Sequence, residues 1–260
     1  MLHLKKHNSF PKTNTDKYYI LNDYLKTFIH FKGIFTKEER SIIKPIVIED
    51  IPQKDFVAKI GTSAMICNDY FVGNKLNSEV SGFIEYDSII KMNNKQNILI
   101  MPYYSKGSMR DYEWNQNNIE LFKSLLKQLF YSLLIAFETL GFIHSNIHLG
   151  NVLMVETTDL VIEYEDIDIP LYGYKIAVSD FEYSINNLST THTVLFYREI
   201  SHILEDIIYN IRLEFEGMVK LHKLVIDNCY VNTDINDFIG IINSIDNLKM
   251  TTNKYSVCVV

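Results

Sequence analysis

Glycine and proline are scarce in this chain, 10 and 5 among 260 residues. No stretch is rich enough in either to form a long linker. No glycine-rich loop of the kind whose backbone cradles phosphate is visible either; Gly33 stands alone, well ahead of the strand that carries Lys59. The three cysteines, Cys67, Cys229 and Cys258, lie far apart and in no metal-ligand spacing. That suits a reducing interior better than a disulfide scaffold. Cys258 is third from the end, where a prenylation signal needs it fourth. The first residues contain no apolar run of signal-peptide length, so the expected location is intracellular, cytoplasm or nucleus, and not secreted. The most apolar window, Leu121 to Ile143, is broken by Lys123, Lys127 and Glu138, so a buried helix is expected there and no membrane span. Basic residues are outnumbered, 25 against 32 acidic, for a net charge of -7. This excludes a broad nucleic-acid surface, which needs clustered Lys and Arg.

What is present is ample apolar material, 47% hydrophobic against 22% charged. A globular chain of this length can form one larger domain or two lobes. Residues 1–16 are polar and expected to be flexible. Tyr18 to Phe31 carries apolar residues at helical spacing; Ile46 to Ile51 and Phe56 to Ile60 read as strands, Leu76 to Met92 as a helix, and "NILIMPYY" as a strand. Beyond Gly107 long helices take over. Ile119, Phe122, Leu126, Leu129, Leu133, Ala136 and Leu140 recur at three- and four-residue steps, predicting a buried helix over 118–140 that ends at Gly141. "NVLM" and "YKIAVSDF" read as short strands, and Phe196 to Phe215 and Phe238 to Leu248 as helices. The expected fold is α+β in two lobes: a strand-rich lobe and hinge over 17–104 and a helical lobe over 105–260, with ligand in the crevice between.

Four fragments carry chemistry. "FVAKI" carries Lys59 on a strand; "LNSEVSGFIEY" contains Glu79, with Glu85 as a rival; "NILIMPYYSKGSMRDY" contains Met101, Pro102 and Tyr104 at a strand end; and "IHSNIHLGNVLM" sets His144, Asn146, His148 and Asn151 at fixed distances, with "VSDFEYS" bringing Asp180 further on. Singly each has a bland alternative: a surface lysine on an edge strand, solvated glutamates, an ordinary turn. Together and in this order they resemble the protein kinase superfamily, nearest to haspin-like and divergent viral kinases, over about residues 56 to 215.

The resemblance implies a two-lobe kinase-like fold in which Lys59 and Glu79 position ATP phosphates, Met101, Pro102 and Tyr104 line the adenine hinge, and Asn151 and Asp180 hold Mg²⁺. It implies structural roles for His144 and His148, and for Glu199 a brace on the loop backbone. The departures matter as much. Asn146 stands where these enzymes carry the proton-accepting Asp, Glu182 where they usually carry Gly, and the stretch from Asp180 to Tyr197 is short for a peptide-docking platform. An amide orients a hydroxyl but takes up no proton near neutral pH, and general-base help is worth roughly 10²–10⁴-fold. The expected function is therefore a pseudokinase: a binding or regulatory module with weak ATP binding and a protein partner, such as a related active kinase. A slow Ser/Thr protein kinase and a small-molecule phosphotransferase stay open beside it.

Overall fold

The computed structural model describes residues 2–3, 17–21, 26–31, 36–37, 41–48, 55–91, 96–164, 167–189, 192–211, 215–230 and 237–250. The fold mixes strands and helices, and the chain divides into two compact units. The first comprises Met1–Glu79, Ile84–Ser105 and Asp180–Glu182, the second Val80–Phe83, Lys106–Ser179 and Tyr183–Val260. Two short segments thus cross the expected partition: Val80–Phe83 belongs to the helical unit, and Asp180, expected in the helical lobe, belongs to the strand-rich one.

The first unit is built on an eight-stranded sheet: β1 (Leu2–His3), β2 (Lys17–Leu21), β3 (Lys26–Phe31), β4 (Thr36–Lys37), β5 (Ser41–Ile48), β6 (Phe56–Thr62), β7 (Ser88–Lys91) and β8 (Gln96–Pro102). Their order is β3-β2-β1-β7-β8-β6-β5-β4, and β3 also pairs β5. All pairs are antiparallel except β1 with β7. Strands β6 and β8 run side by side at its centre, Ala58 opposite Ile100 and Ile60 opposite Ile98, all four buried. Runs of β-branched residues suit such a doubly covered position. One helix, α1 (Ser63–Glu79), follows β6 directly and packs on β6, β7 and β8.

Two expectations fail here. Tyr18 to Phe31 forms β2 and β3, with Tyr18 opposite Ile29 and Ile20 opposite Thr27; Tyr, Ile, Phe and Thr favour extended chain, and pairing outweighs the accidental helical spacing. The helix expected over Leu76 to Met92 lies earlier, in α1. Its buried positions Ile66, Asp69, Val72, Gly73 and Leu76 keep the helical three- and four-residue steps, but Asp and Gly interrupt the apolar pattern that sequence reading follows. Of the N-terminal stretch expected to be flexible, Leu2–His3 is a strand and residues 4–16 lie outside the described residues.

The second unit is organised by α2 (Ile119–Leu140), which matches the predicted helix closely. It ends where Gly141 turns left-handed, φ 56°, and donates its N–H to the carbonyls of Ala136 and Phe137. A side chain at Gly141 would also meet the backbone of Leu188, so the position needs glycine twice over. Aromatic rings carry the core: Phe137 stacks on Phe196 at 5.2 Å, Phe196 meets Phe238 at 4.8 Å, and Phe130 lies 5.7 Å from Phe238. Each ring so buried contributes roughly 2 kcal/mol through the apolar surface it hides. Lys123 and Lys127, which break the apolar window, bury their stems on α2 and reach Asp246: Lys123 donates to its carbonyl at 3.1 Å and Lys127 meets its carboxylate at 2.6 Å.

Around α2 lie the antiparallel pair β9 (Val152–Glu156) and β12 (Tyr174–Val178), the hairpin β10 (Val161–Glu163) with β11 (Asp168–Pro170), and the helices α3 (Thr193–Asn210), α4 (Met218–Tyr230) and α5 (Phe238–Ser244). Phe215, expected at the end of a helix, pairs instead through β13 (Phe215–Glu216) with β14 (Lys249–Met250). Among the described residues no helix is long and apolar enough to cross a membrane.

Candidate functional site

Lys59 sits at the middle of β6, between Ile43 of β5 and Leu99 of β8, and is 3% exposed. A buried ammonium is costly unless it is paired. Three carboxylates meet it: it donates to Asp69 Oδ2 of α1 at 2.8 Å and to Asp180 Oδ1 at 2.6 Å, and Glu182 Oε1 lies 2.8 Å away. Burial alone would lower the pKa of Lys59; Asp69 and Asp180 more than reverse this and hold it well above its ordinary value. Asp69 is pushed up to about 6 by burial, against the pull of Lys59.

The segment Asp180–Glu182 is stitched to α1 by neighbouring side chains. Asn68 Nδ2 donates to the carbonyl of Phe181 at 2.6 Å, and the N–H of Phe181 donates to Asp69 Oδ1. Asp180 adopts a left-handed backbone, φ 73°, and its N–H donates to the Tyr86 hydroxyl at 3.3 Å. Such a conformation is strained for a non-glycine residue and persists when surroundings impose it. Phe181, fully buried, packs against Tyr86 with ring centroids 6.2 Å apart. Gly73 makes room for this: a Cβ there would lie 2.4 Å from the Tyr86 ring and 2.8 Å from that of Phe181.

The tether for Lys59 is therefore Asp69 and not Glu79. Glu79 is the last residue of α1 and exposed, as is its rival Glu85. A side chain at the helix end cannot reach β6 midway along its length, whereas Asp69 lies on the buried stripe. Met101 and Pro102 close β8, opposite Val57 and Phe56, with Met101 buried. Tyr104 follows, its phenol pushed up to about 12 by burial and by Glu85.

The second unit holds the other fragment. The loop from Ile143 to Val152 is pinned at several points. Ser145, left-handed at φ 63°, donates its N–H to Glu199 of α3 at 2.8 Å. Burial raises the Glu199 carboxyl to about 7, with hydrogen bonds from the Ser145 and His144 N–H groups pulling the other way. Leu149 N–H donates to Asp206 at 2.7 Å, and the other oxygen of that carboxylate takes Arg110 at 2.8 Å. His144, fully buried, meets the Ser179 carbonyl through Nε2 at 2.9 Å; because a carbonyl only accepts, Nε2 carries the proton. Ser179 N–H donates to the Asn151 carbonyl at 2.9 Å, and Asn151 Nδ2 donates to the Asn146 carbonyl at 3.1 Å.

Asn146 itself is exposed, at the rim of a cavity of about 250 Å³ lined also by Ile143, Ile147, Glu199, Arg198 and His202. His148 is half-buried on the same loop. The predicted residues thus fall into two groups: Lys59 and Asp180 touch within the first unit, while Asn146 and Asn151 touch within the second, tied through Ser179 to His144.

Sequence reading missed Asp69, Asn68, Gly73 and the ion pair of Glu182. The available signal was a carboxylate within a helical stripe, Ile66–Asp69–Val72–Leu76, shortly after the lysine strand.

Against known proteins, the chain is similar to a probable serine/threonine-protein kinase of Dictyostelium discoideum, 32% identical over 117 residues, which is 43% of this chain. The match spans 10% of that protein's length. No protein-family model matches the chain. Over the matched stretch the chain is kinase-like, a relationship at the level of that broad class.

Proposed function

We propose that this is a kinase-like binding module with little or no phosphoryl transfer, a pseudokinase that works through a protein partner. The observation that carries the reading is Asn146. It stands exposed on a loop whose backbone is braced by Glu199, Asp206 and Asn151, so the position is organised, yet its side chain is an amide. An amide supports hydroxyl orientation and offers no proton acceptor near neutral pH. Phosphoryl transfer then lacks about 3 to 5 kcal/mol of barrier lowering. The haspin-like affinity rests on the "HSNIHLGN" pattern together with the β10–β11 hairpin between Asn151 and Asp180.

The expected cofactors, ATP and Mg²⁺, meet an obstacle in the first unit. Mg²⁺ takes hard oxygen donors, and the carboxylates of Asp69, Asp180 and Glu182 offer oxygens within 4.8 Å of one another. The Lys59 ammonium fills their focus, which speaks against Mg²⁺ at this set as it stands. A slow Ser/Thr kinase is the second reading, favoured by the intact bracing of the Asn146 loop.

The test is transfer from labelled ATP with Mg²⁺ to the chain itself and to histone tails. No incorporation is expected from the wild type. Incorporation by the wild type that disappears in Asp180→Ala sinks the pseudokinase reading in favour of the second one.

A further inference from the structure

We propose that Glu182 is a specificity-determining residue that closes the Lys59 site to phosphates by holding the ammonium within a ring of three carboxylates. The inference rests on the kinase-like reading for the ligand it names, a nucleoside triphosphate, and on the first unit alone for its geometry.

The lysine has no idle face. Its side chain is 4% exposed, and the ammonium lies 2.8 Å from Asp69, 2.6 Å from Asp180 and 2.8 Å from Glu182. With all three carboxylates ionised the group carries three negative charges against one positive. A phosphate chain approaching Lys59 meets a potential of the wrong sign. To donate to a phosphate oxygen, the lysine must also release a carboxylate, leaving a buried charge without its partner.

Glu182 is distinguished from the other two acids by what else each does. Asp69 accepts the Phe181 N–H with its second oxygen, so it also anchors the segment to α1. Asp180 occupies the strained turn that presents the segment. The Glu182 side chain, 6% exposed, has Lys59 as its one ion-pair partner among the described residues, Oε1 lying 2.8 Å from the ammonium without hydrogen-bond geometry. Its backbone cannot swing clear easily, because Asn68 holds the Phe181 carbonyl at 2.6 Å and Phe181 is wedged over Gly73. Glu182 therefore adds charge to the ring without anchoring anything else. Glycine at this place, as most kinases have it, would leave Lys59 two carboxylates.

The experiment is ATP binding by the full chain in the presence of EDTA, so that no divalent cation substitutes for the ammonium, followed by thermal shift and by displacement of a fluorescent ATP analogue. Wild type and Glu182→Asp, which keep the charge, are expected to give no shift at millimolar ATP. Glu182→Gln, which keeps the size, and Glu182→Gly are each expected to bind ATP about ten- to a hundredfold more tightly, the range that removing one charge from a poorly solvated site provides. Two substitutions of different size, each with its own unliganded melting curve, guard against one that merely misfolds. Wild type binding ATP as tightly as Glu182→Gln overturns the proposal. So does the absence of binding in every variant, since rejection would then be set elsewhere. Wild type that binds ATP but transfers no phosphate overturns this inference and leaves the binding-module reading standing; wild-type transfer overturns both.

Discussion

Replacing Glu199 by Gln removes the one carboxyl that braces Ser145 and keeps an acceptor oxygen of similar reach. Glu199 is 7% exposed, and its burial lifts the carboxyl from an ordinary 4.5 to about 7. Between these values the folded chain holds a proton that the unfolded chain has given up. The contribution of this group to stability is therefore greatest below about pH 4.5, declines as pH rises through that window, and levels off above about pH 7. A displacement of this size corresponds to about 3 kcal/mol once the carboxylate is fully charged. The substituted amide does not titrate, so the variant lacks this decline. The wild type should be about as stable as Glu199→Gln near pH 5, where its carboxyl is mostly neutral, and less stable by up to about 3 kcal/mol near pH 8.

Urea unfolding read by tryptophan fluorescence suits the measurement. Trp114 is the sole tryptophan, lies buried in the same unit as Glu199, and donates its indole N–H to the Met109 carbonyl. Groups elsewhere that also titrate cancel in the difference between the two proteins. If the gap between variant and wild type does not widen as pH rises from about 5 to about 8, or widens in the opposite sense, the account of Glu199 as a buried acid opposed by burial is wrong.

Gly73→Ala gains roughly 1 kcal/mol of helix propensity but drives a methyl into Tyr86 and Phe181. Net destabilisation of about 1 to 3 kcal/mol is expected in thermal unfolding by circular dichroism, and the smaller Phe181→Leu should recover part of it in the double variant. Asp69→Asn strips a buried partner from Lys59 and should lower stability by about 3 kcal/mol or more, whereas Glu79→Gln, at the exposed helix end, should stay within about 0.5 kcal/mol. Equal effects from these two substitutions, measured side by side, would remove Asp69 from its role as tether.

Much of the second unit was legible in the chain itself. The three- and four-residue recurrence from Ile119 to Leu140 defines α2, because a helix that buries most of its surface must repeat its apolar residues at its own pitch. The order of His144, Asn146 and Asn151 is likewise local, since a tight loop of fixed length brings Asn151 back onto the Asn146 carbonyl. The misreadings lie where local pattern competes with distant contact. Tyr18 to Phe31 pairs as strands because β2 and β3 satisfy each other's backbone and β3 pairs again with β5. In α1, Asp69 and Gly73 are chosen for what they meet, a lysine on β6 and two aromatic rings, and so disturb the periodicity that would have revealed the helix.

Sequence alone determined which groups were available: an amide at 146, a carboxylate at 182, a lysine at 59, and no glycine-rich loop before them. Tertiary structure alone decided that Lys59 pairs with Asp69, ten residues on, and with Asp180, 121 residues on, while the sequence-favoured Glu79 is left in solvent. The reason is electrostatic. A buried ammonium is stabilised by whichever carboxylates the packing delivers to within about 3 Å, and that delivery depends on how α1 lies on the sheet and where the 180–182 segment is pinned.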